Sequence, residues 1–132
     1  MHDSKSHVER PLSPHLQVYR VSMTMAMSIV HRMTGAGLYV GTILLVWWLL
    51  AANSVRSFDM VNALFGSWIG LLLLLGYSWA LIHHALGGVR HLIWDTGRGL
   101  GSPERDYLAT ATIAGSVALT LVVWILGYML KG

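Results

Sequence analysis

Two groups of polar residues interrupt an otherwise apolar chain. One is Ser28, His31 and Arg32. The other is His83 and His84, followed by Arg90, His91 and Asp95. Ionisable side chains in such surroundings are costly and usually functional. His84, Gly88 and His91 fall at i, i+4 and i+7, on one face of a helix. A glycine one turn from a histidine leaves a flat space beside the imidazole. A haem macrocycle suits that space, with His84 as axial ligand to the iron. Arg90 and His91 would then meet the propionates through charge-assisted hydrogen bonds. His83 points about 100° away from its neighbour, so the pair cannot serve one iron together. Spacing alone leaves either of them as the ligand. It also leaves open a plain hydrogen bond from a buried histidine to a neighbouring helix. If Arg90 marks the edge of the hydrocarbon, His84 lies about 9 Å deeper, at 1.5 Å per residue. His31 sits nearer that edge, so a second axial histidine is expected from another polypeptide.

Ser28 and Arg32 are spaced i and i+4, with His31 beside them. A hydroxyl and a guanidinium at an apolar boundary can hold a carbonyl oxygen and steady negative charge that develops on it. A quinone headgroup offers such carbonyls and arrives from lipid. The alternative is that Arg32 snorkels as a membrane anchor and Ser28 merely packs.

Helices within a membrane must position these groups. Only 11 % of the 132 residues are charged, against roughly 25 % in soluble domains, so water would face large apolar patches. Segments 33–55, 60–89 and 107–130 contain no Asp, Glu, Lys or Arg. Each exceeds the roughly 20 residues that a helix needs to cross the hydrocarbon, and none alternates as a barrel strand does. The expectation is an all-α membrane protein with a single membrane-anchor domain over 1–132. It has a cytoplasmic N-terminal segment, 1–22, and transmembrane helices at approximately 27–52, 64–93 and 106–130. Short connections follow at 53–59 and 96–106. Ser102 and Pro103 form a cap and first turn for the last helix. Lys5, Arg10, Arg20 and Arg32 precede or open the first helix, and Arg90, Arg98 and Arg105 flank the second connection. Arg56 and Lys131 stand alone at the other end. Positive charge prefers the cytoplasmic side, which puts the N-terminus inside. Trp47, Trp48, Trp68, Trp79, Trp94 and Trp124 suit interfacial or lipid-facing positions, and Gly37/Gly41 and Gly66/Gly70 have the spacing of close helix packing.

Other classes recede. The net charge of +3 is scattered rather than clustered, which argues against nucleic acid. With no cysteine, disulfides, iron–sulfur ligation and zinc–cysteine sites are excluded within the chain. The spans carry no acidic residue of the kind that couples ions in a transporter. The first 20 residues are polar, with Asp3 and Glu9, and resemble neither a secretory signal nor a mitochondrial presequence. The expected setting is therefore the bacterial inner membrane, or the mitochondrial inner membrane for a processed chain.

The stretch from Arg10-Pro11-Leu12-Ser13-Pro14-His15-Leu16, then Ser28-Ile29-Val30-His31-Arg32-Met33-Thr34-Gly35, resembles the cytochrome b subunit of succinate dehydrogenase, the larger membrane anchor of respiratory complex II. So does the segment running from His84 through Gly88, Arg90 and His91 to Asp95. The resemblance covers essentially the whole chain. It implies that His84 is an axial ligand of one haem b, whose other histidine comes from the small anchor subunit. It further implies that His31, Arg32 and His91 lie near the propionates, and that Ser28 and Arg32 line a ubiquinone site. Partners would be the small anchor, the iron–sulfur subunit and the flavoprotein, which itself oxidises succinate. The chain would thus belong to a heteromeric helix bundle. A purely structural anchor without haem or quinone is the other reading.

Overall fold

The computed structural model describes residues 10–18 and 20–131. The expected inside charge of Lys5 and the acidic residues Asp3 and Glu9, with the rest of 1–9, lie outside the described residues. The described residues form four helices: α1 (Met23–Ala51), α2 (Val55–Gly66), α3 (Trp68–Asp95) and α4 (Ser102–Lys131). Three of them, α1, α3 and α4, are long and apolar enough to cross a membrane. At 1.5 Å per residue, the 29 residues of α1 span about 44 Å, beyond the roughly 30 Å of hydrocarbon.

Each helix starts for a local reason. Ser22 caps α1 by accepting from Met25 N–H at 3.3 Å. This start lies four residues before the expected one. His31 is therefore about two turns inside the helix rather than one. At the same end of the bundle, Gly97 and Gly99 have positive φ, 77° and 71°. They turn the chain between α3 and α4, as glycine alone does without strain. Helix α4 opens at Ser102, with Arg105 N–H on the Gly101 carbonyl at 2.9 Å. It starts four residues before the expected 106, at the alternative start that Ser102 and Pro103 offer.

The connection expected at 53–59 is instead the beginning of α2. Ser54 caps this helix, its Oγ accepting from Ser57 N–H at 3.2 Å. The apolar run then breaks at Ser67, which is extended at φ −67° and ψ 160°. Ser67 caps α3 by accepting from Gly70 N–H at 3.2 Å. The second span thus begins at Trp68, not 64. Gly66 and Gly70 fall on two different helices, so they form no packing stripe. Gly70 lies against the end of α2, and a Cβ there would collide with the Leu64 carbonyl and the Phe65 backbone. Gly41 does serve close approach, since the Tyr77 ring of α3 fills its side-chain position.

Helix α3 packs against all three others. Most large apolar side chains, such as Leu72 and Val122, face outward, whereas few apolar residues are buried, Met27, Ala51, Val61 and Ala109 among them. That inversion is what lipid demands of a small bundle. The seam between α3 and α4 is polar. Thr112, Ser116 and Thr120 are buried on α4 at four-residue spacing. The Thr112 and Thr120 hydroxyls donate to carbonyls one turn back, Leu108 at 2.8 Å and Ser116 at 2.7 Å. These small hydroxyls satisfy themselves locally and let the helices approach.

Candidate haem and quinone site

The His84 imidazole, half-buried, lies across the gap between α3 and α1. The carbonyl of His31 accepts from its Nδ1–H at 3.1 Å. Thr34 Oγ1 stands 3.3 Å from the same nitrogen. The His31 ring stacks on the His84 ring, with centroids 4.0 Å apart and planes 4° from parallel. His91 meets His31 edge-on at 5.0 Å, and Trp94 lies 5.4 Å beyond His91. One end of the α1/α3 seam therefore holds three imidazoles in a row.

Glycines make this packing possible. A Cβ on Gly35 would stand 3.0 Å from His84 Cε1, and one on Gly87 would stand 2.5 Å from His31 Nδ1. Two imidazole rings can lie between the helices only because neither position carries a side chain. Gly88, one turn from His84, is different: a Cβ there would meet nothing within 4 Å. The flank beside His84 is open, and this fits a flat macrocycle approaching along α3. Face-to-face stacking at 4.0 Å leaves no room for an iron between His31 and His84. Among the described residues, no group of three or more metal-ligating side chains occurs. A single axial imidazole requires no such group.

His83 has a different environment. It is 1 % exposed and its Nδ1 lies 3.1 Å from Ser116 Oγ on α4. Trp79 covers one side at 5.0 Å. Its Nε2 is buried without a partner among the described residues. A packed seam between two helices of one chain leaves no room for a macrocycle at this residue.

Arg90 shares the His83 side of α3, at i+7, and is 3 % exposed. Its guanidinium sits over Trp94, 5.1 Å from the ring centroid, and its Nε and Nη1 are buried without hydrogen-bond partners among the described residues. The structure does not bring Arg90 to the His84 face. Six residues on an α-helix turn it about 120° away, a rotation that the proximity of the two residues in the sequence conceals. His91 is exposed on the open side. On α1, Ser28 is half-buried and Arg32 exposed, so the guanidinium is available at the bundle surface near the imidazole row.

Thr34, Gly35, Gly87 and Ser116 were not singled out from the sequence. The hydroxyls on α4 had a visible signal, the repeat at 112, 116 and 120. Thr34 had none, because its importance depends on which helix lies opposite.

A model of the succinate dehydrogenase/fumarate reductase transmembrane subunit family matches residues 6–123. The chain is 43 % identical over 121 residues to the succinate dehydrogenase cytochrome b556 subunit of Paracoccus denitrificans, covering 91 % of this chain and 93 % of that one. It is 31 % identical over 118 residues to the same-named subunit of Rickettsia felis, covering 89 % and 92 %. It is also 41 % identical over 117 residues to the mitochondrial succinate dehydrogenase cytochrome b560 subunit of Sus scrofa, covering 86 % and 66 %.

Proposed function

Because the chain belongs to the succinate dehydrogenase/fumarate reductase transmembrane subunit family, we propose that it anchors such a complex and gives one axial ligand, His84, to a shared haem b. Its bacterial relatives and three apolar helices fit a multi-pass protein of the bacterial inner membrane, with mitochondrial relatives as the alternative setting. The observation that carries the haem reading is the pairing at His84: Nδ1 turned onto the α1 backbone, and an open flank at Gly88. His31, Arg32 and His91 are the groups proposed to meet the propionates. Arg90 is left out of that set because it is buried about 120° round α3 from His84. The small anchor subunit would supply the other haem ligand, and the iron–sulfur and flavoprotein subunits would dock on the cytoplasmic side, at the end carrying Arg32 and Arg98.

When bound, haem b supplies a one-electron store beside the quinone. The chain's own residues bind and orient the substrate. Arg32 donates to a quinone carbonyl, and its fixed charge steadies the negative charge that builds on that oxygen during reduction. Ser28, one turn away, orients the same headgroup. Succinate itself is oxidised on another subunit.

Two variants of the intact complex test this. His84→Ala is expected to remove the low-spin haem absorption. Arg32→Leu is expected to slow quinone reduction by on the order of 10²-fold while succinate oxidation with a soluble dye acceptor persists. A complete wild-type complex without a Soret band would leave only a structural anchor. Unaltered quinone reduction in the Arg32 variant would remove that residue from the site.

A further inference from the structure

The hydroxyl of Thr34 has a single hydrogen, and it is used. Thr34 Oγ1 donates to the His31 carbonyl at 2.9 Å. Towards His84 Nδ1, 3.3 Å away, the same oxygen can therefore only accept. The His31 carbonyl, 3.1 Å from that nitrogen, can never donate. Both groups facing Nδ1 are acceptors. A neutral imidazole in this place must carry its hydrogen on Nδ1 and its lone pair on Nε2.

We propose that Thr34 is a positioning residue for the haem. With the His31 carbonyl, it locks the tautomer and ring angle of His84 so that Nε2 is presented to iron. This inference rests on the haem reading above and deepens it. Thr34 is buried at 5 % exposure, and its own bond lies within α1, so the acceptor pair is set by the helix itself. Gly35, the next residue, lets the ring lie close to α1 at the angle this requires. A metal-bound histidine usually donates its other N–H to such a partner, and losing that partner typically weakens binding 10- to 100-fold.

Thr34→Val keeps the shape and removes the acceptor. In the intact complex this variant is expected to retain haem about 10- to 100-fold less tightly and to shift both the low-spin electron paramagnetic resonance g-values and the haem midpoint potential. Thr34→Ser is expected to restore all three. Wild-type values in the valine variant would overturn the positioning role alone. A wild-type complex without haem would overturn the haem reading as well. The wild type offers a second check should the valine variant not assemble. A structure of the loaded complex must show iron on His84 Nε2, with Nδ1 within hydrogen-bond distance of both acceptors. Iron on Nδ1 would end the proposal.

Discussion

Adjacent histidines on α3 have separate fates because a step of one residue turns about 100° around the helix. His83 meets Ser116 of α4, while His84 meets Thr34 and the His31 carbonyl of α1. His83→Phe in the complex should therefore keep the haem spectrum and cost about 1 kcal/mol from the lost hydrogen bond. Loss of haem in that variant would transfer the ligand role to His83. Arg90 poses a related question. A guanidinium buried with Nε and Nη1 unpartnered among the described residues carries a desolvation cost that an apolar replacement removes. Arg90→Met should match or exceed the wild-type thermal midpoint of the complex and keep its absorption spectrum. A bleached Arg90→Met complex would show that the residue holds the haem after all.

Among the elements, α2 is the one that hydropathy missed. Segment 60–89 is uncharged throughout, and composition does not distinguish a single helix from two with a turn between them. The turn is made by Ser67, which closes α2 and caps α3. Gly70 permits it by leaving room for the end of α2. Gly70→Val is expected to destabilise the fold by about 1–3 kcal/mol, as overpacking does, because the clash is with backbone that cannot rotate away. Thermal unfolding in detergent, compared with Gly76→Val at a position with open space, measures the difference. Equal midpoints would mean that α2 does not pack on α3 in this way.

At the scale of the whole molecule, three spans present an apolar exterior, and the polar groups gather at one end of the α1/α3 seam. That end carries Arg32, Arg98 and Arg105, and the other end carries Arg56 and Lys131. On the preference of positive charge for the cytoplasm, the proposed orientation puts the imidazole row on the inner side, where docked subunits would deliver electrons. The absence of cysteine makes this direct to test. A membrane-impermeant maleimide on intact cells should label Asn53→Cys and spare Leu100→Cys. The reverse pattern would invert the anchor and remove the quinone site from the iron–sulfur side.

Span number and the shared face of His84, Gly88 and His91 were legible in the residues because both depend on local rules. A helix must be apolar over a set length to cross lipid, and its period of 3.6 residues is the same everywhere. The long motifs around His31 and His84 carried the family resemblance for the same reason, since they are contiguous. Whether Arg90 pointed to the haem face or into the bundle was not legible, nor was the stack of His31 on His84 or the role of Thr34. Those outcomes depend on which helix lies opposite and at what rotation. That is decided when Gly35, Gly41 and Gly87 let α1 and α3 close on each other, and no spacing along one strand of sequence contains it.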